Sequence, residues 1–178
     1  AAPTGRAAKR MSEATGREAS TLHRLLEYGG DSGEFTRDEE NPLDCTCLIV
    51  DEMSMVDVFL MRAFLRALPR GARLILVGDA DQLPSVGAGN VLGDILRSGV
   101  IASVRLSEIF RQSESSLIVR NAHAINHGEM PVLNQKNSNF FFERHAYPED
   151  SARAVVELCR RRLPAYMKCA DPLHAIQV

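Results

Sequence analysis

Two apolar runs that each end on acids constrain this chain more than any other feature. Leu48, Ile49 and Val50 lead into Asp51 and Glu52, and residues 73–78 (RLILVG) lead into Asp79 and Asp81. Short apolar runs rich in β-formers suit buried strands. The stretch between them reads as a helix over 56–68, broken by Pro69 and Gly71. Strand, helix, strand in that order points to a parallel pair joined by a crossover. Ligand sites in such sheets lie at the carboxyl ends of the strands. Both acidic clusters fall there, so they can face one ligand.

The rest of the chain continues the alternation. Residues 4–15 (TGRAAKRMSEAT) are good helix formers with Gly16 as a stop. Residues 20–28 (STLHRLLEY) predict a helix capped by Ser20 or Thr21 and ended by Gly29-Gly30. The acidic, turn-rich stretch 30–42 reads as a loop or small hairpin. Helices are expected over 89–98, 114–127 (ended by Gly128) and 149–163. Strands are expected at 101–106 (IASVRL) and near Phe140–Phe142. The expected fold is therefore α/β with a mainly parallel sheet flanked by helices.

Composition excludes little else. With 45% apolar residues and a net charge of −2, the 178 residues suit a globular core and carry no global field toward nucleic acid. Any such contact must come from a local patch. No apolar run is long enough to span a bilayer, and no secretory signal opens the chain, so no membrane partner is expected. Cys45, Cys47, Cys159 and Cys169 are scattered, which suits a reducing, cytoplasmic setting. The chain opens at Ala1 without Met, and its last residues, DPLHAIQV, read as the start of a strand. Both ends are expected to be cuts in a longer protein.

The chemistry concentrates in four places. Adjacent carboxylates at a strand end fit nucleotide hydrolysis: in such a site the first acid, here Asp51, would help hold Mg²⁺ through its water shell, and the second, Glu52, would orient and deprotonate the attacking water. In GDADQLPSVGAGN (78–90), Gln82 is a neutral amide able to sense a terminal phosphate or position a water. In LSEIFRQ (106–112), Arg111 offers planar, permanently charged phosphate recognition. PTGRAAKR (3–10) offers backbone amides and a hydroxyl at a helix start, with Arg6, Lys9 and Arg10, as an anion site for which DNA phosphate is one candidate. Each also has a plainer reading, as a strand leaving the core, a polar loop, a surface arginine or a solvated basic face. His123 and His127 sit at helical spacing without a third ligand, so ordinary helix surface is expected there, and Cys45-x-Cys47 lacks a second ligand pair. Met53, Met55 and Met61 read as core filler. Arg160–Arg162 read as a solvated helix end.

APTGRAAKRM, STLHRLL, LIVDEMSMVD, LVGDADQLPSVGAGNVL and LSEIFRQ occur in this order with short spacers. Together they resemble motifs Ia, Ib, II, III and IV of superfamily 1 DNA helicases, in the RecD-like branch (the exodeoxyribonuclease V alpha-subunit family). The resemblance covers residues 1–135 strongly and the rest more loosely. It implies a RecA-like fold of the P-loop NTPase type, truncated at both ends. Residues 1–145 would form part of the first motor domain, and 146–178 a helix and strand leading toward the second. It implies ATP and Mg²⁺ as cofactors, with Asp51 and Glu52 as the Walker B pair and Gln82 and Arg111 on the γ-phosphate. Pro3, Thr4, Gly5, Arg6, Thr21 and His23 would lie on the path of single-stranded DNA. The implied activity is ATP-driven translocation along DNA and unwinding in repair and recombination, either alone or with other subunits of a helicase–nuclease complex.

One departure matters. The phosphate-binding loop GxxxxGK[ST] occurs nowhere in this chain. Its lysine and hydroxyl supply much of the nucleotide grip, so the chain by itself is expected to hydrolyse ATP negligibly. Two alternatives stay open: a nucleic-acid-stimulated NTPase that separates no strands, and a binding module that keeps the fold without catalysis.

Overall fold

The computed structural model describes residues 1–30, 33–106, 116–133, 135, 138–168 and 176. The chain divides into two compact units, Ala1–Leu106 and Ser107–Val178.

The first unit begins with α1 (Gly5–Thr15). Thr4 caps it by accepting the Ala7 amide, and Gly16 ends it in the left-handed conformation at φ 67°, its amide donating to the Ser12 carbonyl. A short α2 (Leu22–Leu25) follows, capped by Thr21. The helix expected over 20–28 stops here because Tyr28 and Gly29 are drawn into β1, which pairs antiparallel with β2 (Glu34–Phe35). Glu27 turns left-handed at φ 54° to make that exit. The rings of Tyr28 and Phe35 pack at 5.0 Å, and His23 lies edge-on to Tyr28 at 5.6 Å. Aromatic contact across the hairpin thus outweighs local helix preference. Of the stretch 30–42, read as a loop or small hairpin, Glu34 and Phe35 supply the second strand of this hairpin and 36–42 form no strand.

β3 (Cys47–Val50) and β4 (Arg73–Leu76) run parallel in the register Cys47↔Arg73, Leu48↔Leu74, Ile49↔Ile75 and Val50↔Leu76. The crossover between them is α3 (Val58–Ala67), whose N-cap Asp57 accepts the Leu60 amide. α3 buries Leu60, Met61, Phe64 and Ala67 against Leu22, Leu26, Leu43, Val50, Met53, Val56 and Leu92. Phe64 is 1% exposed, and burying one such side chain is worth roughly 1.5–3 kcal/mol. Asn90 caps α4 (Val91–Ser98), and Gly99 ends it. The opposite face of the parallel pair carries Ile49 and Ile75, both exposed.

The sheet is smaller than expected. Among the described residues it consists of the parallel pair, with the β1–β2 hairpin as a separate two-stranded sheet. Residues 101–106 form no strand: no described strand pairs with them, and Val104 and Leu106 are over 90% exposed. An apolar run becomes a strand only where a ladder partner exists. Of the three methionines read as core filler, Met53 and Met61 are buried and Met55 is exposed.

In the second unit, α5 spans Leu117–Asn126 with Ser116 as its N-cap, and residues 114 and 115 of the helix expected there lie outside the described residues. Asn139 reinforces that cap by accepting the Leu117 amide at 3.0 Å and donating to Ser116 Oγ at 2.8 Å. Asn121 is buried and makes a two-way pair with the Val132 backbone, at 2.9 and 2.8 Å. Phe140–Phe142 form no strand, and Phe141 and Phe142 remain exposed. The helix expected over 149–163 is α6 (Pro148–Glu157), which continues through a π-turn at Leu158–Arg162 into α7 (Leu163–Met167). Arg161 pairs with Glu157 and Arg162 with Glu143, all on the surface, in keeping with a solvated arginine run. Of the strand expected from DPLHAIQV, all but Ile176 lies outside the described residues.

Candidate nucleotide and DNA site

Because β3 and β4 are parallel and in register, their carboxyl ends leave the sheet at one edge. Asp51-Glu52 and the segment from Val77 to Gln82 therefore emerge side by side, as the sequence suggested. The ladder runs past the strands: Val77 donates to the Val50 carbonyl at 2.8 Å, and Met53 donates to the Val77 carbonyl at 3.0 Å. Gly78 completes the contact. A Cβ there would lie 3.0 Å from the Met53 nitrogen and 2.9 Å from Cδ2 of Leu92, so a side chain would require the Leu92 methyl and the Met53 backbone to shift.

Asp51 is half-buried. Its Oδ1 accepts the Glu52 amide at 2.8 Å, and Oδ2 has no hydrogen-bond partner among the described residues. Mg²⁺ commonly uses one or two carboxylates and keeps several waters beside substrate phosphates. A single free carboxylate oxygen at the strand end fits such a site. No group of three or more His, Cys, Asp or Glu able to hold a metal occurs among the described residues. His123 and His127 instead stack at 6.5 Å, with a His127 ring nitrogen 2.8 Å from the His123 carbonyl.

Glu52 sits at φ 56°, ψ 41°, a left-handed conformation rare for a residue with a Cβ. The backbone then enters a 3₁₀ turn, Met53–Met55, with the Met55 amide donating to the Glu52 carbonyl at 3.1 Å. Strained backbone of this kind concentrates at functional positions. Ser54, on the same turn, is buried, and its Oγ has no hydrogen-bond partner among the described residues.

Gln82 is exposed, and its side-chain amide donates to Asp79 Oδ2 at 3.3 Å, while Asp79 Oδ1 accepts the Asp81 amide at 3.0 Å. Asp79 thus organises the turn that presents Gln82. Asp81 in turn pairs with Arg105 at 3.2 Å. Arg111 lies outside the described residues.

The segments read as DNA contacts are also brought together. Ala1 lies along the free edge of β3, its carbonyl accepting the Asp51 amide at 3.0 Å. Ala2 bridges in parallel to Thr21, exchanging bonds with Ser20 at 3.1 Å and Leu22 at 2.8 Å. Pro3 and Thr4 therefore start beside Thr21, with both threonines serving as helix caps. Gly5 and Arg6 open α1 and are exposed, and a Cβ at Gly5 would meet nothing within 4 Å. His23 packs with the Tyr28 and Phe35 rings while remaining exposed.

Sequence reasoning missed the left-handed Glu52, the orphan Ser54 hydroxyl and the close packing of Gly87 and Gly89 on α3. Only the glycines left a trace in the sequence, as the VGAG run.

Residues 1–88 match the family described as an AAA domain. The ATP-dependent RecD2 DNA helicase of Deinococcus radiodurans is 42% identical over 159 residues, covering 89% of this chain and 21% of the relative. The RecBCD enzyme subunit RecD of Mycobacterium tuberculosis is 41% identical over 183 residues, covering 88% of this chain and 31% of the relative. DNA helicase B of Mus musculus is 34% identical over 139 residues, covering 73% of the chain and 13% of the relative. The chain thus spans less than a third of the length of these relatives. With five ordered motifs and these likenesses over most of its length, the chain belongs to the RecD-like helicase family.

Proposed function

We propose that this chain is part of the first, RecA-like motor domain of a longer ATP-dependent DNA helicase, in which it couples ATP hydrolysis to movement along single-stranded DNA. Residues 1–145 belong to that domain on this reading, and 146–178 lead toward a second one. The observation that carries it is the parallel register of β3 and β4, with Asp51-Glu52 and the Asp79–Gln82 turn leaving one sheet edge.

On this reading Asp51 would hold Mg²⁺ through its water shell. The Glu52 carboxylate takes the proton from the attacking water. Gln82 leaves Asp79 to face the γ-phosphate, and Arg111 adds a permanent charge there. Mg²⁺ would supply neutralisation of phosphate charge. Pro3, Thr4, Gly5, Arg6, Thr21 and His23 form the DNA-facing group, and Ala1 and Ala2 connect it to Asp51. A change at the nucleotide can therefore reach the DNA contacts through two backbone ladders. The phosphate-binding loop comes from elsewhere in the protein. The RecD relative is named as a subunit of the RecBCD enzyme, so partner subunits of a helicase–nuclease complex belong to the proposal. Among the described residues no helix is long and apolar enough to cross a membrane.

Strand displacement by the full-length protein tests this reading, on a duplex with a single-stranded tail and with ATP and Mg²⁺. ATP-dependent displacement is expected. DNA-stimulated turnover without displacement selects a remodelling NTPase. DNA binding with neither activity selects a binding module.

A further inference from the structure

The loop after Gln82 rests on the start of α3 more closely than side chains would permit. A Cβ built on Gly87 would lie 2.0 Å from Asp57 Oδ2 and 2.8 Å from its Cβ and Cγ. A Cβ built on Gly89, at φ 93°, would lie 2.3 Å from Val58 Cγ2. Non-bonded heavy atoms overlap at such separations, so this seat requires glycine at both positions. Hydrogen bonds hold the same seat. The Val58 amide donates to the Ala88 carbonyl at 3.0 Å. The Ser85 hydroxyl lies 3.1 Å from the Gly87 carbonyl oxygen and 3.2 Å from that of Gly89. Asp57 cannot simply swing away, because its Oδ1 accepts the Leu60 amide at 2.8 Å as the helix cap.

This seat is a second tie between the two strand-end segments, after the one from Met53 to Val77. Asp57 follows Glu52 by five residues, and Gly87 follows Gln82 by five. We propose that Asp57 and Gly87 are positioning residues for nucleotide turnover: their contact locks the loop that carries Gln82 to the helix that follows Glu52, so amide and carboxylate approach the nucleotide as one body. The inference rests on the reading of Glu52 and Gln82 as nucleotide-facing groups. Neither Asp57 nor Gly87 touches the nucleotide itself. A methyl group at Gly87 must lift the loop, and a displacement of about 1 Å at reacting groups can cost roughly 100-fold in rate.

The test is steady-state ATP turnover of the full-length protein with and without single-stranded DNA. It compares wild type, Gly87→Ala, the double variant Asp57→Gly/Gly87→Ala, and Glu52→Gln, with Tm measured for each. Asp57→Gly removes the three atoms nearest the new methyl, and glycine at a helix cap costs only a few tenths of a kcal/mol. Gly87→Ala is expected to lower DNA-stimulated kcat about tenfold or more, with KM for ATP within about twofold, and the double variant to recover most of kcat. A purely structural contact would lower Tm and leave the kcat of the folded protein intact. Gly87→Ala with wild-type kcat overturns the proposal, as does a folded double variant no faster than the single one. If Gly87→Ala fails to fold, the double variant decides: folded and active supports the clamp, and folded but slow, or unfolded, overturns it. Glu52→Gln separates the two levels. If it turns over ATP at the wild-type rate, the nucleotide-site reading itself fails. If it is inactive while Gly87→Ala is normal, only the clamp fails.

Discussion

The Met53 amide donates to the Val77 carbonyl at 3.0 Å, which ties the residue after Glu52 to the end of β4. Through this bond the two acidic segments share a rigid base instead of hanging from separate loops. It also fixes the exit of the chain from β3, where Glu52 adopts its left-handed backbone at φ 56°.

That conformation has a measurable cost. The left-handed region disfavours a residue with a Cβ by about 1–2 kcal/mol, while glycine loses about 0.5–1 kcal/mol of chain entropy on ordering. Glu52→Gly is therefore expected to raise the unfolding free energy by roughly 0.5–1 kcal/mol while removing the proposed base. Urea denaturation checks it. A clear loss of stability would mean the carboxylate, and not the backbone, sustains this turn.

Ser54 gives a second stability prediction. Its hydroxyl is buried without a hydrogen-bond partner among the described residues, and such a group costs about 1–3 kcal/mol. Ser54→Ala is expected to raise the denaturation midpoint, with a gain on the order of 1 kcal/mol. A lower midpoint would show that the hydroxyl is satisfied in solution.

Cys45, just before β3, and Cys47, its first residue, should react unequally. Cys45 is half-buried, and burial, with the nearby Asp44 and Cys47 adding to it, pushes its thiol up from the ordinary range. Cys47 is exposed. A thiol-alkylating reagent near pH 8 is expected to label Cys47 first, as mass spectrometry of digests would reveal, because the thiolate is the reacting form. Equal labelling would contradict the burial of Cys45.

Glu39 gives a pH prediction. Arg66 Nε lies 2.8 Å from both of its carboxylate oxygens, and this hydrogen bonding lowers its pKa. A depressed folded-state pKa means that the pair's contribution is fully present above the unfolded value. It is lost as pH falls through the lowered folded value. Glu39→Gln should flatten the acid limb of the stability profile in that window, modestly and less at high salt, because the pair is exposed. An unchanged acid limb at low salt would remove the pair from the account.

The sequence made local features legible and hid distant ones. Gly16 as a stop and Thr21 as a cap follow from backbone chemistry within a few residues. β3, α3 and β4 follow from apolar runs bounded by Asp51, Asp57 and Pro69. Residues 101–106 mislead because a strand needs a neighbour, which no local pattern supplies. The shortened α2 reflects the Tyr28–Phe35 contact, and the Asn139 cap of α5 acts from 22 residues away. At the site, the residue types at Asp51, Glu52 and Gln82 were readable. The strain at Glu52 and the seat of Gly87 on Asp57 arise only once the chain is folded.

The most direct test of the central claim is ATP turnover by the full-length protein and its Glu52→Gln variant, with and without single-stranded DNA, beside a nucleotide-binding measurement. Turnover should fall by at least about 100-fold while binding holds, because the amide keeps the shape and loses the base. Unchanged turnover would make the Asp51-Glu52 pair only the polar end of a buried strand, and the motor reading would lose its chemistry.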